Sequence, residues 1–249
     1  MKLYRVIFSL FLCLAIQTVL ASETMASWPF QAAFSNCVES IGVGLAPTAN
    51  VSAHVPAGFV PLGTGQPVTP LVVRTARCGG ISVAGLPARS GEVVQIGAVI
   101  VPPDGTGDIN NYSIWYYTSD LRLALALRLV GVDAQFVPNI DYVLDPGNNS
   151  LLVRVPRPGR PRFSLSGPVT PSSQPVGSFL ANWWQKTSNG TAVKMSTNVP
   201  AIAIGGADLT LTTSAESSLG NLIGGSSTGF PIIQQFNSFA AAQMTVSTQ

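Results

Sequence analysis

Three patterns of apolar positions follow one another between Glu92 and Gly131, and they set the expectation for the whole chain. Glu92 to Val101 is rich in Val and Ile and stops at Pro102-Pro103, which lack the N–H that a ladder needs; this predicts a buried strand. Asp104-Gly105-Thr106-Gly107-Asp108 has turn chemistry, and Tyr112 to Tyr117 returns as an aromatic run, so the two form a long-looped hairpin. Leu121 to Val130 alternates like a strand but is built from Leu, Ala and Arg, which are strong helix formers. Ser119 or Asp120 can cap the free amides of a helix start, and Gly131 stands where a left-handed terminating residue belongs. The caps decide for a helix over about 120–130. Leucine at every second position wraps most of a helix circumference, which predicts burial on most sides, as a plug against a curved sheet.

The rest of the chain reads as short strands. Val51 to Val60, Val68 to Thr75, Ile81 to Val83, Val132 to Phe136, Ile140 to Leu144 and Leu151 to Val155 precede a second set. That set is Phe179 to Gln185, Val193 to Met195, Ala201 to Ile204 and Leu209 to Thr213, with a short turn or helix at Ser217 to Gly225 and a last apolar element from Phe230 to Met244. Turn signals recur about every ten residues, which favours a sandwich or barrel over a parallel α/β sheet. The expected class is mainly β: a single-domain β-barrel or closed double sheet with one buried helix. With no repeat and no biased linker, the chain divides into 1–21, a signal peptide; 22–50, an N-terminal arm expected to be poorly ordered from Ser22 to Phe34 and pinned by Trp28 and Phe30; and 51–249, the barrel-like domain.

Composition adds a compartment. Lys2 and Arg5 precede an apolar run from Val6 to Leu20, and Val19-Leu20-Ala21 offers small residues to a signal peptidase, which predicts a secreted, extracellular protein with no stable membrane insertion. Of 13 Lys and Arg against 11 Asp and Glu, Lys2 and Arg5 leave with that segment, and the remainder is formally neutral. Neutrality excludes the clustered cations that nucleic acid demands. Cys13 also leaves, so Cys37 and Cys78 are expected to form one disulfide, worth about 3 to 4 kcal/mol in the chain-entropy model. Asn50, Asn111, Asn148 and Asn189 each open an N-x-Ser/Thr sequon, as in a glycoprotein.

Candidate chemistry is sparse. His54 is the one histidine and no cysteine pair has ligand spacing, so no metal site is expected beyond a conceivable carboxylate pair at Asp104 and Asp108; no cofactor motif is present. Gly225-Ser226-Ser227-Thr228-Gly229 matches a nucleophile elbow in letters, but the only histidine lies upstream of it, against the hydrolase order. Lys194, flanked by apolar residues, either points to water from an alternating strand or is a desolvated amine able to form a Schiff base. Glu92 is either a strand-end charge or an acid/base at a cavity mouth, and Arg74 could pair with it. Arg74, Tyr116 and Trp184 are the candidate ligand contacts. Trp183 and Trp184, adjacent in a strand, should point to opposite faces. Arg154 to Arg162 concentrates four arginines among prolines, as a solvated connection or an anion contact.

Val55-Pro56-Ala57-Gly58-Phe59-Val60-Pro61, then an Arg- and Cys-bearing strand, then Gly91-Glu92-Val93-Val94 leading to a hairpin with Asn110-Asn111-Tyr112 and a helix, resembles the acetoacetate decarboxylase-like β-barrels over roughly Val51 to Gly225. The resemblance implies a cavity-bearing barrel, with Glu92 carried over, and a Schiff-base lysine from a pair shortly after the helix. The corresponding stretch, Gly131 to Tyr142, contains no lysine.

Three functions follow from these readings. The first is a secreted glycoprotein whose barrel cavity binds a small, largely apolar molecule, within small-molecule (secondary) metabolism. The second is a decarboxylase-like or other lyase or isomerase acting on a keto acid, with Glu92 or Lys194 as its catalytic group. The third is a structural surface glycoprotein without a ligand.

Overall fold

In the computed structural model, which describes residues 29–156 and 162–249, the chain runs β1 (Phe30–Pro47), α1 (Thr48–Ser52), β2 (Val68–Val83), β3 (Arg89–Val99), β4 (Ile109–Thr118), α2 (Leu121–Leu129), β5 (Ala134–Phe136) and β6 (Asp141–Asp145). It continues through β7 (Ser150–Val155), β8 (Phe163–Thr170), β9 (Pro175–Lys186), β10 (Ala192–Ala207), β11 (Thr210–Thr213), α3 (Ser218–Ile223), β12 (Ser227–Gly229) and β13 (Ile233–Thr248). The expected signal segment 1–21 lies outside the described residues, as do Trp28 and, in the arginine-proline stretch, Arg157 and Arg160.

Seven strands close into a barrel. β13, β1, β2, β3 and β4 pair antiparallel in that order, β9 pairs with β10 and β10 with β13 antiparallel, and a parallel seam between Ile109–Tyr112 of β4 and Ala181–Trp184 of β9 completes the ring. A second sheet, β6-β7-β8-β11-β12, lies against the outside. The barrel wall is therefore covered on both faces. Val94, Ile96 and Tyr117 pack outward with Tyr142, Val153 and Leu165 of the second sheet, whereas Val93, Tyr116, Trp183 and Met195 pack inward. Burial on both faces is why β3 is rich in apolar residues on both of its faces instead of alternating strictly with polar ones.

The helix forms where its caps predict. Asp120 accepts hydrogen bonds from the Arg122 and Leu123 amides at 2.8 and 3.1 Å, and Gly131 follows at φ 88°. Its burial is narrower than expected: Leu123 and Leu127 join the inward-facing core and Ala124 is buried beside them, while Leu121, Leu125 and Leu129 remain exposed. Leucines at every second position do wrap the helix, but only one stripe meets the barrel.

Two other expectations are corrected. The arm anticipated over 22–50 is, from Phe30 to Pro47, the strand β1 at the centre of the barrel, paired with both β2 and β13. The strand anticipated over Val51 to Val60 is instead the end of α1 followed by turns: Pro56 has no amide to donate and Gly58 sits at φ 100°, which breaks any ladder. The disulfide forms as expected, joining Cys37 and Cys78 directly across the β1–β2 pair.

Candidate functional site: the barrel cavity

The inward-facing side chains leave a cavity of about 240 Å³ between β1, β2, β4, β9, β10 and β13. Phe179, Ile204 and Ile233 stand at its rim, where they are partly exposed, and Val43, Val72, Trp183 and Ile202 form apolar walls. Trp183 reaches its place because Gly97 opposite has no side chain: a Cβ there would meet Trp183 Cζ3 at 2.8 Å and the Tyr112 carbonyl oxygen at 2.2 Å. The register of β3 against β4 shifts at this glycine.

Asp108, Thr197 and Gln235 also line the cavity, and a polar cluster built on Arg74 interrupts its apolar walls. Arg74 on β2 donates through Nε to Glu39 Oε2 on β1 and through Nη1 to Gln95 Oε1 on β3, each at 2.8 Å. Glu39 also accepts from Asn237 Nδ2 at 3.3 Å. Arg74 Nη2 has no hydrogen-bond partner among the described residues. Two buried side-chain oxygens lining the cavity, Asn111 Oδ1 and Asn237 Oδ1, are likewise without a partner among the described residues. Buried polar atoms are ordinarily satisfied, so two unsatisfied acceptors and a free guanidinium N–H around one hollow mark a place built to receive something polar.

The sequence-derived candidates separate. Arg74 lines the cavity, but its ion-pair partner is Glu39 and not the expected Glu92. Tyr116 belongs to the inward-facing core without lining the cavity; burial pushes its phenol well above the ordinary range, only partly opposed by the Arg74 charge. Trp184 turns to the outer side of the wall, as the alternation with Trp183 requires, and packs with Phe59 while donating through Nε1 to Asn110 Oδ1 at 2.8 Å. Lys194 is on that same outer side. It points neither to open water nor into the cavity: its Nζ donates to Asp104 Oδ2 and Thr106 Oγ1, each at 2.6 Å, and lies 5.3 Å from the Trp184 ring centre. Glu92 shares a strand face with Val94 and Ile96, sits opposite Arg77, and accepts a hydrogen bond from Ser119 Oγ. Glu92 and Lys194 thus lie on strands that are not neighbours, and neither reaches the cavity.

Other candidates find local employment. Asp104 is held by Lys194, and Asp108 Oδ2 accepts the Leu180 amide at 2.7 Å; among the described residues no three of His, Cys, Asp and Glu gather closely enough to hold a metal ion. Of the sequon asparagines, Asn148 and Asn189 are exposed in turns, and Asn50 donates to the Asn221 carbonyl. Asn111 is corrected: at 2% exposure inside the barrel it has no room for a glycan in this fold. Glu39 and Asn237 were not anticipated. Glu39 is the lone charge between Gln31 and Pro47, and on a central strand such a residue needs a partner, which was the available signal.

No family model matches the chain, and no curated protein sequence matches it. Solved structures do. A structure described as acetoacetate decarboxylase superposes with a TM-score of 0.60 at 10% identity, over 94% of this chain and 96% of that one. The enduracididine biosynthesis enzyme MppR complexed with pyruvate gives a TM-score of 0.58 at 12% identity, over 93% of both chains. Acetoacetate decarboxylase from Legionella pneumophila gives 0.52 at 11% identity, over 93% of this chain and 92% of that one. A likeness at this identity is one of fold, and the expectation drawn from the order of pieces is met at that level: the chain has the acetoacetate decarboxylase-like β-barrel fold.

Proposed function

We propose that the barrel is a chamber for one small, largely apolar molecule, and that the protein works by holding that molecule rather than by Schiff-base chemistry. The observation that carries this reading is the lining itself: apolar walls around an under-satisfied polar cluster, with both described lysines, Lys186 and Lys194, outside the cavity. The volume fits a small guest, since about 240 Å³ lies below the roughly 300–1,000 Å³ of pockets for drug-sized ligands. Trp183 in the wall supplies the assay. A screen of small apolar and keto-acid compounds, followed by indole fluorescence and calorimetry, is expected to give saturable binding that Val72→Trp abolishes by filling the space. Binding that survives this substitution would place the ligand elsewhere and end the proposal.

An enzyme acting on a keto acid is the second reading, favoured by the fold it shares with a biosynthetic enzyme solved with pyruvate. It would have to use Arg74, Glu39 or Asp108, because neither Glu92 nor Lys194 reaches the cavity. Turnover of keto acids followed by proton NMR tests it.

An exported glycoprotein in small-molecule metabolism remains the setting we propose. The Lys2 to Ala21 stretch, the Cys37–Cys78 disulfide and the exposed sequons at Asn148 and Asn189 support it. Fractionation of producing cells and the mass of the mature chain before and after enzymatic deglycosylation test that setting.

A further inference from the structure

The chamber carries one positive and one negative side chain in its polar cluster, and they are already engaged with each other. Nε and Nη1 of Arg74 are spoken for by Glu39 and Gln95, and the Glu39 carboxylate is almost wholly withdrawn from solvent. A ligand carboxylate entering this space would meet a guanidinium whose charge Glu39 already neutralises, with Nη2 left to receive it, and would bring a second negative charge up to Glu39. In a site of low dielectric that repulsion is weakly screened. It would also bring no donor to Asn111 Oδ1 or Asn237 Oδ1, which would stay unpaired. The orientation of Asn237 is set by its neighbour, since its amide N–H must face the Glu39 carboxylate and turning the group over would place oxygen against oxygen.

Resting on the chamber reading above, we infer that the cavity selects an uncharged molecule with a hydroxyl or amide N–H close to a carbonyl, in preference to a carboxylate such as a keto acid. The carbonyl oxygen accepts from Arg74 Nη2, and the hydroxyl or N–H donates to Asn111 or Asn237. The apolar remainder fills the space between Val43, Val72 and Trp183. Glu39 is then a specificity-determining residue: it removes from Arg74 the net charge that would otherwise recruit an acid.

Three probes of nearly the same size and branching separate the possibilities: diacetone alcohol, methyl isobutyl ketone, which lacks the hydroxyl, and α-ketoisocaproate, which carries a carboxylate. Affinities are read by Trp183 fluorescence and ligand-observed NMR on the full folded protein. The alcohol is expected to bind about tenfold or more tightly than the ketone, because the ketone leaves both asparagine oxygens unpaired, and the keto acid is expected to bind more weakly than either. Asn111→Leu with Asn237→Leu should erase the advantage of alcohol over ketone while the ketone still binds. Glu39→Gln, close in shape, should raise keto-acid affinity by about tenfold or more by leaving Arg74 with net charge. Circular dichroism confirms that each variant is folded. Keto acid binding as tightly as the alcohol to the unmodified protein would overturn the inference and leave the chamber intact. Failure of all three probes and of the wider screen would instead remove the chamber reading, and this inference with it.

Discussion

Arg74 and Glu39 meet at 2.8 Å across adjoining strands of the barrel wall, with 16% and 4% of their side chains exposed. Such a pair is costly to break from one side, because the survivor is left charged in a place without water. Glu39→Ala is expected to destabilise the fold by about 3–5 kcal/mol, whereas the double replacement Arg74→Met with Glu39→Leu recovers most of that loss. Urea titrations of the two variants measure the difference. A double variant as unstable as the single one would mean that the pair itself is not what the fold depends on.

Lys194 and Asp104 give a pH signature. Burial pushes the Asp104 carboxyl up, but the hydrogen bond from Lys194, together with the amide and hydroxyl of Thr106, outweighs it and holds the pKa at about 2, against an ordinary 3.8. Because the folded value is the lower one, the contact adds stability above the ordinary carboxylate range, and that contribution disappears as pH falls from near 4 towards 2. In Lys194→Met the carboxyl is expected to titrate higher than in the unmodified protein. A carbon-detected NMR titration of the side chain reads this directly.

The same tether bears on chemistry. An ammonium bonded to Asp104 and Thr106 on the outer side of the wall is a poor amine nucleophile. Borohydride treatment with a keto acid is expected to leave the intact mass of the protein unchanged, and a reduced adduct mapped to Lys194 would refute this.

Asp120 begins α2 and also holds Arg122, whose Nη2 lies 2.6 Å from Oδ2. Asp120→Ala should cost about 1–2 kcal/mol through the lost cap, and Asp120→Asn, which keeps an acceptor, should cost less. Thermal unfolding of the two variants ranks them.

The Cys37–Cys78 bond spans 41 residues, and the chain-entropy model assigns about 4 kcal/mol to a loop of that length. Cys37→Ser with Cys78→Ser is expected to lower the denaturation midpoint by a matching amount, without changing the near-ultraviolet signature of the buried tryptophans.

Some of this architecture was legible in the sequence because local chemistry and tertiary placement agree there. Asp120 and Gly131 bracket the helix as caps should, and the β3 and β4 runs are apolar on both faces because both faces are covered. β1 was hidden. Its inward face carries Glu39 and its outward face Ser40, Gly42 and Gly44, small residues that read as loop. Gly42 lies under the Phe230 ring, whose Cγ a Cβ would meet at 2.4 Å, and no local pattern announces a partner so distant in sequence. The cavity was half visible for the same reason. Arg74 stands out as a charge within an apolar run, but Asn111 looks like a glycan acceptor and Asn237 like surface until the ring closes and turns both inward.

The ring closes through a single parallel join, Ile109–Tyr112 against Ala181–Trp184, after which β4 leaves β9 and continues beside β5. Asn182 stitches that join by donating to the Thr106 carbonyl and Asn110 Oδ1. Every other neighbour pair in the ring is antiparallel, and closure also needs β13 to pair with β1 from the opposite end of the chain, so bringing these distant segments together is the slow, entropically costly step of folding. Until it happens two strand edges stand open to other chains. A nascent molecule is therefore exposed to mispairing with its neighbours until β13, the last strand made, has paired with β1.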